Sequence, residues 1–162
     1  MTVTAPAGFE AAGIAAGIKR SGALDLTVIV NRGPSNASAA VFTSNRAKAN
    51  PILWSEQAAA DGRVGAIVLN SGGANCFTGP EGFQVTHRTA EAAAGALGVA
   101  AGDVLVCSTG LIGTGDEVFR ARVLDGTEQG IVQLSVDGVE AVFFVIMMMD
   151  FRSKWSVVSQ NN

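Results

Sequence analysis

The sequence predicts an α/β fold. Three features point there: short β-branched apolar runs bounded by turn formers, a long amphipathic stretch lying between two of them, and glycine-rich turns directly after two of the runs. At 162 residues the chain fits a single domain of the usual size. Its 48% hydrophobic and 15% charged residues exclude the polar, charge-rich make-up of a disordered segment, so it has the material for a core.

Residues 24–30 (LDLTVIV) and 39–43 (AAVFT) are predicted strands, separated by the turn formers Asn31, Gly33, Pro34, Ser35 and Asn36. Residues 55–60 (SEQAAA) form a helix capped by Ser55 and stopped at Asp61-Gly62, and residues 64–69 (VGAIVL) a buried strand that runs into a glycine turn. The strongest helix signal covers residues 78–97: Thr78 with Glu81 three residues on is a capping-box pattern, and Gly98 closes the segment. Pro80 is tolerated there because first-turn N–H groups lack intrahelical acceptors. Phe83, His87, Ala90, Ala93, Ala94 and Leu97 recur at helical spacing, predicting a small-sided stripe that packs on a sheet. Residues 104–108 (VLVCS) are a further short strand, ending at Thr109-Gly110.

Composition changes along the chain. Of 26 alanines, 24 fall in residues 1–113, which are charge-neutral, while residues 114–162 carry the whole net charge of −3 and the run Met147, Met148, Met149. The tail is therefore different material, although no linker separates it. The sequence divides into region 1–113 and a diverged continuation of the same domain, 114–162.

The acidic balance and the lack of a basic cluster beyond Lys19-Arg20 argue against nucleic-acid binding, which draws on phosphate neutralisation. Two cysteines, Cys76 and Cys107, are too few for a disulfide framework and lack CxxC spacing. With one histidine, a His-rich metal site is not expected. The N-terminus lacks a basic start followed by an apolar run, and the longest apolar stretch, residues 141–149, falls short of the roughly 20 residues a membrane span needs. A cytoplasmic protein without membrane attachment is the expectation.

Two loops invite a chemical reading. In residues 70–75 (NSGGAN) the Gly72-Gly73 pair allows backbone N–H groups to approach an anion; the P-loop lysine and the GxGxxG spacing are both absent, and an ordinary tight turn explains the same residues. In residues 107–113 (CSTGLIG), Thr109-Gly110 at a strand end can offer hydroxyl and N–H donors to a developing oxyanion, or simply turn the chain. Cys107 is expected to be a small buried residue, with neither cation nor histidine beside it to make a thiolate. His87 shares its stripe with Phe83 and Ala90, which favours a hydrogen-bonded histidine at the core margin over a general base.

Read together, these segments resemble the N-terminal, α-chain half of the ornithine acetyltransferase/glutamate N-acetyltransferase family of arginine biosynthesis. The matching text comprises VTAPAGF (3–9), AGIK (16–19), residues 25–31 with Gly33-Pro34, AVFT (40–43) with Asn45-Arg46, PILW (51–54), DGR (61–63), AIVLNSGGAN (66–75), TGPEGF (78–83) and CSTGLIG (107–113). The resemblance implies a layered α/β sandwich of the self-cleaving, N-terminal-nucleophile-like type, of which this chain would be the N-terminal half. It implies acyl transfer: a threonine opening a β chain takes acetyl from N-acetylornithine and passes it to glutamate through an acyl-threonine. It assigns oxyanion stabilisation to Thr109 and Gly110 and implies an α2β2 assembly; no metal or cofactor is expected, and whether acetyl-CoA serves as an alternative donor is left open by the sequence.

The likeness weakens after Gly113 and returns faintly at residues 146–154 (IMMMDFRSK). There the family's substrate-binding threonine pair falls on Met148 and Met149, whose thioethers cannot donate a hydrogen bond, and a binding lysine on Lys154. No stretch up to Asn162 resembles the self-cleavage site, so the nucleophile is expected on another chain. The alternatives are a non-catalytic, diverged paralogue that only binds or assembles, and a related self-cleaving aminopeptidase.

Overall fold

The computed structural model describes residues 7–112 and 117–137, with side chains described through residue 134. Strands β1 (Phe9–Ile14), β2 (Leu26–Asn31), β3 (Ala66–Asn70) and β5 (Val104–Ser108) form one sheet in the order β1-β2-β3-β5. The first two pairings are antiparallel and β3 with β5 is parallel, Ala66 opposite Val104 and Asn70 opposite Ser108. Two short strands, β4 (Gly73–Ala74) and β6 (Leu111–Ile112), pair in parallel just beyond the ends of β3 and β5. The helices are α1 (Asn50–Ala58), α2 (Gly79–Leu97) and α3 (Glu117–Asp137).

Alternation along the strands sets the core. Leu26, Val28, Val30, Ala66, Val68, Val104 and Val106 share one face and are buried against Ala90, Ala93 and Ala94 of α2 and Ile131 of α3. Each large aliphatic side chain so buried contributes about 1.5–3 kcal/mol. The alanines of α2 and the glycines of α3 allow close approach: a Cβ on Gly126 would lie 2.6 Å from the Ala16 Cβ, and one on Gly130 3.0 Å from Val28 Cγ2.

Helix α1 solves a different problem. As the outer strand, β5 would leave backbone groups unpaired along its edge. Ser55 Oγ accepts from the Val106 N–H (3.0 Å) and donates to the Val106 carbonyl (2.9 Å), while Trp54 Nε1 donates to the Val104 carbonyl (2.9 Å). Ser55 is buried in mid-helix, so the expected Ser55 cap is corrected: α1 begins at Asn50 with Pro51 in its first turn.

Three further expectations change. Residues 39–43 form no strand, and Val41 is 82% exposed; β-branched residues without a pairing partner remain a loop. Helix α2 starts next to Thr78 and ends on Gly98 in the left-handed conformation as expected, but no capping box forms: the Thr78 hydroxyl bonds Asn75 and Glu81 bonds Arg120 (2.7 Å). Its buried face is also rotated from the expected stripe, with Val85, Thr86 and Thr89 inside alongside Ala90, Ala93 and Ala94, and His87 outside. Thr86 and Thr89 are buried because their hydroxyls bond the carbonyls of Gly82 (3.2 Å) and Val85 (2.8 Å).

Helix α3 lies in the compositionally distinct tail, over residues for which no element was expected. Its buried residues Phe119, Val123, Gly126, Thr127, Gly130 and Ile131 nevertheless follow helical spacing, and α3 completes the same core.

Candidate active site

The parallel pairing of β3 with β5 puts the two glycine turns side by side, at the carboxyl ends of neighbouring strands. Gly110 (φ +135°) rests on the backbone of the other turn: a Cβ there would lie 2.5 Å from Gly73 N and 2.6 Å from Gly72 C. Gly72 (φ +101°) in turn has Ile18 and Lys19 against it, each 3.0 Å from where a Cβ would stand. Only glycine fits both positions, for backbone conformation and for space. The pair found separately in the sequence is thus one unit.

Polar contacts lock it. The Thr109 N–H donates to the Asn70 carbonyl (3.0 Å). Asn70 Nδ2 and Ser108 Oγ both donate to the Gly73 carbonyl (3.0 and 3.1 Å), and the Asn75 N–H donates to Ser108 Oγ (3.0 Å). Asn75 is buried and its side chain uses its full capacity. Nδ2 donates to the Gly82 carbonyl (2.8 Å) and Thr86 Oγ1 (3.0 Å), while Oδ1 accepts from Asn50 Nδ2 (3.2 Å) and the Thr78 hydroxyl. On the other side, the buried Asp25 carboxylate accepts from the N–H groups of Ala16 and Lys19 (both 2.7 Å), and its carbonyl accepts from the Ser71 N–H (2.7 Å). Loop 15–25 is thereby held against Gly72.

Beside the turns, a cavity of about 610 Å³ is lined by Ile18, Lys19, Gly72, Leu111, Phe119 and Arg122. Asn70, Asn75, Ser108 and Asp25 were not singled out individually from the sequence; a polar residue adjoining a glycine turn at a strand end was the only signal available for the first three.

Cys107 sits on β5 with its side chain on the face away from the helices, and it is exposed where a buried residue was expected. Although part of it reaches the surface, the surrounding protein strips hydration from the thiol and pushes it up to about 11, which suits an unreactive residue. Cys76 is buried and desolvation raises its pKa as well. His87 lies away from the turns: its ring stacks on Trp54 (4.8 Å between centroids), and Nε2 is 3.5 Å from Glu91 of the same helix. Met148, Met149 and Lys154 lie outside the described residues. Among the described residues, no group of three or more His, Cys, Asp and Glu could hold a metal ion, and no helix is long and apolar enough to cross a membrane.

The mixed sheet backed by helices that carries these turns defines a fold class that solved structures share. One is the crystal structure of ornithine acetyltransferase complexed with ornithine from Mycobacterium tuberculosis: TM-score 0.76, 52% identity, covering 82% of this chain and 70% of that one. Another is the arginine biosynthesis bifunctional protein ArgJ of Bacillus halodurans, with TM-score 0.73, 34% identity, and coverage of 80% and 66%. The ArgJ family model matches residues 10–161, and the chain belongs to the ArgJ family. The ArgJ of Streptomyces coelicolor is 55% identical over 161 residues, which are 99% of this chain and 42% of that protein. The ArgJ of Mycobacterium bovis is 61% identical over 152 residues, 89% of this chain and 37% of that protein. The chain therefore spans about two fifths of the length of these relatives, and the match runs well past Gly113.

Proposed function

We propose that this chain is the α-chain portion of an ornithine/glutamate N-acetyltransferase of arginine biosynthesis. It contributes the oxyanion-stabilising pair Thr109 and Gly110 to a site completed by a β chain that opens with a threonine. The observation that carries the reading is the seating of Gly110 on Gly72-Gly73 with Thr109 beside it, in a chain of the ArgJ family. The ornithine in the related M. tuberculosis structure supports ornithine as a ligand class.

In this reading the threonine oxygen bonds to the acetyl carbonyl carbon of N-acetylornithine. The C–N bond breaks, and the hydroxyl proton passes to the leaving ornithine amine. The amine of glutamate then attacks the acyl-threonine, the ester C–O bond breaks, and a proton returns to the threonine oxygen. Negative charge develops on the acetyl oxygen in both steps, and fixed donors aimed at that oxygen lower both barriers. In this reading Thr109 acts through its hydroxyl and Gly110 through its N–H, while the Thr109 N–H fixes the backbone on the Asn70 carbonyl. No cofactor takes part in the transfer; acetyl-CoA is a second donor to be assayed beside N-acetylornithine. Met148 and Met149, at the positions of the family's threonine pair, would weaken substrate binding, with Lys154 contributing a cation. The assembly is α2β2, formed after self-cleavage of a precursor, in the cytoplasm.

The test is acetyl transfer from N-acetylornithine to glutamate by this chain, alone and co-expressed with the remaining portion of the S. coelicolor relative beginning at its threonine. The proposal expects a complex on size-exclusion and transfer only in the complex. Normal rates from the chain alone would overturn the claim that the nucleophile lies elsewhere; no complex and no transfer would favour a non-catalytic fragment.

A further inference from the structure

We infer that Asn75 and Ser108 are positioning residues that set the Thr109–Gly110 turn in register with the amino ends of α1 and α2, an inference that rests on the proposed acetyl transfer. Thr109 has its backbone fixed by Asn70, and Gly110 is seated on Gly72-Gly73; where those donors point therefore depends on how rigidly the Gly72–Asn75 turn is held. That turn has one tether to β5, the Ser108 hydroxyl, which accepts from the Asn75 N–H (3.0 Å) while donating to the Gly73 carbonyl (3.1 Å). Its tethers to the helices run through Asn75: the carbonyl accepts from the Asn50 N–H at the start of α1 (3.1 Å), and the four hydrogen bonds of the side chain reach Asn50 again and Thr78, Gly82 and Thr86 around the start of α2. Space is equally committed: a Cβ on Gly82 would stand 1.9 Å from Thr78 Oγ1 and 2.5 Å from Asn75 Oδ1. A buried network in which every member is satisfied holds one geometry, and losing one member frees its partners to rearrange.

Neither residue need touch substrate, so each acts through the turn. Donors displaced from the oxyanion weaken the transition state and leave substrate binding largely intact, which lowers kcat and spares KM. The chemistry of the amide also matters. Asn75→Asp keeps the shape but replaces two donors with a carboxylate oxygen facing the Gly82 carbonyl, so it should resemble Asn75→Ala more than the parent.

The experiment compares Ser108→Ala, Ser108→Thr, Asn75→Ala and Asn75→Asp in the co-expressed complex, and separately follows amide hydrogen exchange of Thr109 in this chain. Expected for both alanine variants and for Asn75→Asp is a fall in kcat of about 10- to 100-fold with KM within about twofold. Ser108→Thr, which keeps the hydroxyl, should recover most of the rate. Thr109 exchange should quicken about tenfold in Ser108→Ala while Val28 in β2 is unchanged. Unchanged kcat in the alanine variants, or a loss in Ser108→Thr equal to that in Ser108→Ala, would overturn the inference. If the parent complex shows no transfer, the proposed function fails, and the positioning claim is decided by exchange: no selective change at Thr109 overturns it.

Discussion

Gly110 stands over Gly73 so closely that a methyl group on the first would lie 2.5 Å from the backbone nitrogen of the second. With φ at +135°, Gly110 also has a conformation that side chains other than hydrogen rarely adopt. Gly110→Ala should therefore cost about 1–3 kcal/mol from backbone strain alone and separate the two turns. Chemical denaturation checks the first effect; an unchanged midpoint would show that the turns are not in contact.

Ser55 predicts a stability effect remote from the turns. Ser55→Ala strands a buried N–H and reduces the bonding of a carbonyl, both on Val106, and should cost about 1–3 kcal/mol. Urea unfolding measures it, and the slope should stay constant because the exposed area does not change.

Two helix glycines should respond to the same substitution with opposite signs. Gly95 in α2 faces open space, so Gly95→Ala gains helix propensity and should stabilise by about 0.5–1 kcal/mol. Gly126 in α3 faces the Ala16 Cβ at 2.6 Å, so overpacking outweighs propensity and Gly126→Ala should lose about 1–3 kcal/mol. Paired melting curves decide this, and stabilisation by both would place α3 farther from β1 than found.

Cys107 should be slow to alkylate despite its exposure. With its thiol pushed up to about 11, the labelling rate should climb roughly tenfold per pH unit through pH 8 to 10. The folded pKa lies above the unfolded value, so the unfolded chain ionises first and this thiol favours folding less as pH rises from 9 to 11. Mass-spectrometric labelling kinetics test it; a plateau near pH 9 would mean an unperturbed thiol.

The sequence made much of this legible, for reasons that particular residues explain. Strands β2, β3 and β5 and helix α2 were visible because local periodicity and burial agree there. Residues 39–43 misled because β-branched composition signals a strand only when a neighbour pairs with it. Ser55 misled because a serine before a helix-forming run resembles a cap, and its real partner on Val106 is 51 residues away. Helix α3 was missed because Gly126 and Gly130 lower helix propensity, and their use, close contact with β1 and β2, is a tertiary fact. The Thr109-Gly110 pair came from resemblance together with its strand-end position. The supporting roles of Asn70, Asn75 and Ser108 depend on β3 and β5 being parallel neighbours, which no local pattern encodes.

The most direct measurement is kcat for acetyl transfer by the assembled complex carrying Thr109→Ala, with Thr109→Ser beside it. Loss of one oxyanion donor should lower kcat by about 10²- to 10³-fold in the alanine variant with KM little changed, and serine, which restores the hydroxyl, should recover most of the rate. An alanine variant as fast as the parent would contradict the account and leave Thr109-Gly110 an ordinary turn.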